Sequence, residues 1–254
     1  MAEMLFDPQA LAARRARAHR QGPCTFLAER VIEELAERLG LVRRRFGRGL
    51  LVGCPDPALA TTLTGAAEQL LLAPGLEGLT AFPPGSLDLL VVLGELDTAH
   101  ELPALLQVVR HLLATEALFI GAFPGNDTLP VLRGAMLAAD QAQGGGVAPR
   151  VHPRIAAAGF AGLLQDAGFD VPVVDVDRVR LRYKRLDDLV ADLRGMGAGN
   201  ALAGRSRRPL GRAGLEAARA AFRAAGDEGG TVETIELIHF TAWTPAAGAH
   251  IPNG

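Results

Sequence analysis

Cysteine is scarce in this sequence, with two in 254 residues. Cys24 and Cys54 stand in unlike surroundings with no metal-ligand pattern beside them, so no zinc site is expected, and reduced thiols in a cytoplasmic compartment fit best. Net charge is also nearly missing: 26 basic against 28 acidic side chains leave a formal charge of −2. No global field would draw such a chain to nucleic acid or to an anionic membrane. Long hydrophobic runs are absent as well. The apolar stretch Leu87–Leu93 is far shorter than the roughly 20 residues a membrane-spanning helix needs. The segment Met1–His19 lacks an apolar run of signal-peptide length and carries Glu3 and Asp7, which transit peptides avoid, so it is expected to belong to the mature protein. His100, His111, His152 and His239 show no metal spacing, and no Ser/His/Asp order favours a hydrolase. No internal repeat is present, and Gly144–Gly146 is too short for a flexible linker and reads as a helix stop.

What is there is apolar material in quantity, 49% of the chain, enough for one large α/β domain over residues 1–254. It divides into a helical segment (1–48), a Rossmann-like core (49–143) and a C-terminal part of strands and helices on the substrate side (144–254). Val31, Leu35, Leu39 and Val42 recur at three- and four-residue steps, predicting an amphipathic helix before the first strand. Leu50–Cys54 is a short apolar run closed by Pro55 and Pro57, hence a buried strand ending in a loop. Ala58–Gln69 reads as helical and Leu70–Ala73 as a second strand.

The clearest signal is PPGSLDLLVVLGEL, in which a Pro-Gly turn opens the buried strand Leu87–Leu93. A helix over Glu101–Ala114 follows, and then the strand Ala117–Phe123, making a β-α-β unit. Further helices are predicted over Thr128–Gln143, Ala156–Ala167, Asp187–Arg194 and Leu215–Ala225. Two late strands, Val171–Tyr183 and Val232–Trp243, predict an antiparallel hairpin on one sheet edge. The fold class is therefore α/β: a doubly wound, mainly parallel sheet whose ligands sit beyond the carboxyl ends of the strands.

This order of elements resembles the class I S-adenosylmethionine-dependent methyltransferases. Four strings in the C-terminal half, GGGVAPRV (144–151), LQDAGFD (164–170), VDVDRVRLRY (174–183) and LRGMGAGNAL (193–202), are similar to one branch of that superfamily, as is FDPQALAARRARA (6–18). The branch contains the mitochondrial respiratory complex I assembly factor 5 and its bacterial relatives, and is related to the malonyl-carrier-protein methyltransferase of biotin synthesis. The resemblance spans nearly the whole chain. It implies S-adenosylmethionine as cofactor and a protein or carrier-bound substrate, or an assembly partner.

The cofactor loop departs from the family's pattern. There the first strand ends in an acidic residue followed by Gly-x-Gly-x-Gly, whose backbone N–H groups approach the cofactor. Here the string is LLVGCPDPA. With Gly53 on the first glycine, Leu51 takes the acidic position and Pro55 and Pro57 replace the other two glycines; proline has no N–H and cannot adopt positive φ. The carboxylate that would hold the ribose is missing from the second strand's tip, with Glu68 and Glu77 the nearest acids.

Candidate cofactor-side residues are Gly53, Cys54, Asp56, Phe82, Leu93, Gly94 and Glu95, placed at or near the strand tips. Arg150, Tyr183, Arg194 and Asn200 are candidates for a substrate side, because an arginine over a cleft can hold a carboxylate or phosphate in a bidentate way. Arg205, Arg207 and Arg208 form a basic cluster that reads as a solvated loop or as a steering patch for an acidic partner. No catalytic residue is identified. Two readings stay open: a methyltransferase, or the related hydroxylase-type enzyme that the branch implies; and a binding protein that keeps the fold without the cofactor, serving in assembly.

Overall fold

The computed structural model describes residues 4–144, 146–246 and 248; Gly145 of the triple glycine lies outside them. The chain divides into two compact units. One comprises residues 25–124, 155–176 and the chain from 238 onward; the other comprises the N-terminal 24 residues, 125–154 and 177–237.

The first of these holds helix α2 (Phe26–Gly40), strands β1 (Phe46–Val52), β2 (Ala67–Ala73) and β3 (Leu87–Leu93), helix α3 (Leu102–Leu112), strand β4 (Leu113–Pro124) and helix α5 (Ala157–Asp166). β1 to β4 are parallel, with β1 between β2 and β3, and β4 beside β3. Leu50, Leu51, Val52, Leu89, Leu90, Phe119 and Ile120 are almost wholly buried on these strands, as expected for a parallel sheet covered on both faces. The strands expected around Leu50–Cys54, Leu87–Leu93 and Ala117–Phe123 therefore form, and they are neighbours inside the sheet. Phe119, Phe123, Phe160 and Phe240 meet at ring-centroid distances of 4.7 to 6.1 Å, mostly edge to face, the geometry that the ring quadrupoles favour.

The full sheet has six strands in the order β2-β1-β3-β4-β6-β5, where β5 is Asp170–Tyr183 and β6 is Thr231–Trp243. Thr244 N–H donates to Ala117 O at 3.0 Å, while Gly125 N–H donates to Glu236 O at 2.8 Å. Position rises along β4 as it falls along β6, so the two are antiparallel. On β5, Arg182 reaches Gly230 O and Arg178 reaches the Glu236 carboxylate, each at 3.1 Å, so β5 also runs against β6. The sheet is mainly parallel with an antiparallel edge hairpin.

The second unit contains α1 (Pro8–Gln21), α4 (Pro130–Gln143), α6 (Leu186–Gly195), α7 (Arg212–Ala224) and the adjoining halves of β5 and β6. α4 packs on α7 and α1 on α6. Arg219 on α7 grips the Asp187 carboxylate of α6 with two donors at 2.6 and 3.0 Å.

Three sequence expectations are corrected. The helix over Ala58–Gln69 does not form: residues 57–63 make a 3-10 turn, and β2 begins at Ala67. The segment is too short and too rich in β-branched Thr61, Thr62 and Thr64 for an α-helix between two strands. The first strand runs Phe46–Val52 rather than Leu50–Cys54. It starts early because the Asp88 carboxylate of β3 takes the N–H groups of Gly47 and Arg48 at 2.7 and 2.8 Å, and it stops at Gly53, whose φ is +80°. β4 begins at Leu113, directly after α3.

Candidate functional site

The carboxyl ends of β1 and β3 carry Gly53, Cys54, Asp56, Leu93, Gly94 and Glu95 of the expected cofactor-side residues, and Phe82 lies apart from these strand ends. Gly53 donates its N–H to Ala73 O of β2 at 3.0 Å, and Gly94 donates to Ala122 O of β4 at 2.8 Å. A Cβ on Gly53 would run into the Leu93 carbonyl oxygen and come within 2.7 Å of Glu95 Cγ. Glu95, 6% exposed, therefore lies directly over Gly53, and only a residue without a side chain allows it. Asp97, also buried, follows on the 3-10 turn Leu96–Thr98.

Asp56 does not turn into the crevice. Its backbone is extended, and its carboxylate accepts the N–H of Ala58 at 2.9 Å, capping the 3-10 turn that Pro57 opens. Between two prolines, Asp56 serves the local N-terminus. Cys54 Sγ donates to Asp56 O at 3.0 Å, and burial pushes its thiol pKa up, which leaves it a poor nucleophile near neutral pH. Leu51 is fully buried. At the tip of β2, Ala73 is buried, and the exposed Glu77 bends back so that its carboxylate fills the space beside Gly75. Phe82 follows the 3-10 turn Leu76–Ala81 and lies under the Arg48 guanidinium, 5.4 Å from its ring centroid, a cation–π contact. Trp243 stacks on Phe46 at 6.2 Å.

In the other unit, three of the strings that carry the family resemblance, 6–18, 144–151 and 193–202, lock together. Phe6 bridges Leu202, and Asp7 N–H donates to Ala201 O at 2.8 Å. Asn200 Nδ2 donates to Pro149 O at 2.8 Å, and its own Oδ1 accepts the N–H of Leu202 at 3.0 Å. His152 is buried, and its Nε2 accepts the N–H of Ala201 at 2.9 Å. Burial, with Arg154 and Arg14 near it, lowers its pKa to about 4, so it is neutral in the fold and its acceptor nitrogen stays available. The Arg150 Nε donates to Asp140 at 2.8 Å, and the pair is largely buried; the guanidinium holds the Asp140 carboxyl below the usual range. Gly199 has a packing reason: a Cβ there would come within 2.9 Å of Arg14 Nε, so the glycine lets the α1 arginine lie across the loop.

Arg150 and Asn200 line one cleft of about 480 Å³, together with Arg14, Arg205, Arg207 and Arg208. Arg205 bonds Asp7 at 2.8 Å and Leu202 O at 2.8 Å. The other two expected substrate-side residues lie elsewhere. Arg194 is exposed at the end of α6. Tyr183 is buried and donates its hydroxyl to Asp192 Oδ2 at 3.0 Å; burial and that carboxylate push its pKa up. Sequence reasoning missed Arg14, although it sits in the string 6–18. Arg14, Arg15, Arg17 and Arg20 follow so closely on α1 that composition does not distinguish the one facing inward.

No family model matches the chain. Curated relatives do. The arginine-hydroxylase NDUFAF5, mitochondrial, of Danio rerio is 28% identical over 243 residues, covering 87% of this chain and 75% of that protein. The human protein of the same name is 28% identical over 241 residues, covering 86% and 70%. A malonyl-acyl-carrier-protein O-methyltransferase of Laribacter hongkongensis is 32% identical over 208 residues, covering 82% of this chain and 61% of the relative. Among solved structures, a protein of Bacillus halodurans described as a methyltransferase superimposes with a TM-score of 0.55 at 8% identity, covering 84% of this chain and 99% of the other. The cyclase SpnF does so with 0.53 at 16% identity, covering 94% of each. No helix among the described residues is long and apolar enough to cross a membrane. In sequence this chain is similar to the NDUFAF5 and malonyl-acyl-carrier-protein O-methyltransferase proteins, and it is built on the class I methyltransferase fold.

Proposed function

We propose that this chain is a methyltransferase-fold protein of the assembly-factor type, in which the S-adenosylmethionine site is weak or lost and which works by binding a protein partner. The observation that carries this reading is the β1 loop. Gly53 leads into Cys54-Pro55-Asp56-Pro57 and a 3-10 turn, and Asp56, the acid of that loop, is spent on capping the turn. The prolines offer no N–H, Leu51 accepts no hydrogen bond, Glu95 covers Gly53, and the buried tip of β2 is Ala73. These residues do not fit a cofactor that needs backbone donors at its carboxylate and an acceptor at its ribose. A lost hydrogen bond to a charged group costs roughly 1.5–3 kcal/mol, so two such losses take a micromolar site to about the millimolar range.

The names of the relatives support a protein or carrier-bound partner, and the near-neutral charge agrees with the absence of a nucleic-acid target. Two cysteines that remain thiols support a reducing, cytoplasmic location. A second reading, an active methyltransferase with a rebuilt site, is favoured by two buried acids, Glu95 and Asp97, just beyond β3.

Calorimetric titration with S-adenosylmethionine separates the two. The wild type is expected to show millimolar affinity or none, and a Pro55→Gly, Pro57→Gly double variant to gain affinity. Micromolar binding by the wild type overturns the proposal.

A further inference from the structure

The cleft that contains Arg150 and Asn200 is positively charged inside a chain whose net charge is −2. Five arginines line it, and no acidic side chain does. Two of the five are matched from behind, Arg150 by Asp140 and Arg205 by Asp7. The remaining three, Arg14, Arg207 and Arg208, form no ion pair among the described residues; Arg14 donates only to Ala10 O at 3.1 Å. Arg207 and Arg208 are exposed, on a loop ended by Pro209. Their neighbour Ser206 also borders the cleft, its Oγ accepting the Arg208 N–H at 3.3 Å.

The wall is built rather than incidental. Gly199 lacks a side chain where Arg14 crosses, and Asp140 fixes the Arg150 fork with Nε at 2.8 Å while accepting the Ala148 N–H at 2.9 Å. Asn200 is clamped at both ends of its amide. Burial first, and then the positive charge of Arg205, lower the Arg14 pKa against the opposing pull of Asp7.

We propose that this cleft binds a ligand through a phosphate ester or diphosphate group. Three guanidinium groups that form no direct ion pair match the two to three negative charges of such a group, whereas a single carboxylate would leave most of them unpaired. Guanidinium forks take phosphate oxygens in pairs, and a volume of about 480 Å³ leaves room for the rest of the ligand. This inference does not depend on the state of the β1 loop, because the cleft lies wholly within the unit that contains α1, α4, α6 and α7.

The test is calorimetric titration of the full chain with pyrophosphate at low ionic strength, with malonate in a parallel arm. Saturable binding of pyrophosphate is expected, at least tenfold tighter than malonate and weakened at least tenfold by raising the salt from about 50 to 500 mM. An Arg207→Ala, Arg208→Ala variant should weaken it at least tenfold with an unchanged melting curve, while Arg43→Ala, an exposed arginine outside the cleft, changes it less than twofold. No saturable binding, equal binding of malonate, or full affinity in the double variant overturns the proposal.

Discussion

The Glu233 carboxylate of β6 accepts the N–H of Leu132 in the first turn of α4 at 2.7 Å, and that of Val131 at 3.3 Å. α4 has no cap of its own: its N-cap position is Leu129, at φ 61°, and Pro130 follows. A strand residue remote in sequence thus satisfies donors that the helix start leaves open. Its burial raises the Glu233 pKa against the opposing pull of these N–H groups.

Replacing Glu233 with Ala is therefore expected to destabilise the fold by about 1–3 kcal/mol, the cost of leaving buried donors unsatisfied. For a chain of this size that lowers Tm by roughly 2–12 °C. Glu233→Gln, which keeps one carbonyl oxygen, should lose less than half as much. Thermal melts followed by circular dichroism check both, and an equal loss in the two variants would remove the capping role.

His152 links stability to pH. Its pKa falls from 6.5 free to about 4 folded, so between these values the unfolded chain binds the extra proton and stability rises with pH. The contribution is complete above about pH 6.5 and lost as pH falls toward 4, a change of about 3 kcal/mol. Urea unfolding from pH 4 to 7 should show that slope. In His152→Gln, whose amide oxygen still accepts the Ala201 N–H, the slope over this window should shrink by the same amount; an unaltered slope means another group carries it.

Gly53→Ala should cost about 2–4 kcal/mol, from the strain of an L side chain at φ +80° and the collision with Leu93 O and Glu95. Removing the second neighbour in Gly53→Ala, Glu95→Ala should recover part of the loss but not the backbone strain. Denaturant midpoints of the wild type, of Gly53→Ala and Glu95→Ala alone, and of the double variant decide it. Additive losses would mean that Glu95 does not press on this glycine.

The sequence by itself determined the sheet's interior, since continuous apolar runs such as Leu87–Leu93 have no stable place except between covered faces. Alternation and order likewise marked the late hairpin. Local composition did not determine residues 57–66, because the distance to the next strand, not helix propensity, sets what that segment becomes. Pro55 and Pro57 marked the end of the first strand in the sequence, but only the fold decided that Asp56 caps its own turn.

The basic cluster Arg205, Arg207, Arg208 was legible as charge and no more. Whether an arginine on a helix near the start, another after α4 and a loop past residue 200 share one cleft depends on contacts across nearly 200 positions of chain, such as Asp7 with Arg205. Those contacts are non-local, and side-chain spacing along the chain carries no record of them. The same physics separated Arg150 and Asn200 from Arg194 and Tyr183: all four stand in the resembling strings, but only the packing of α1 against Gly197 and Gly199 decides which of them share a wall.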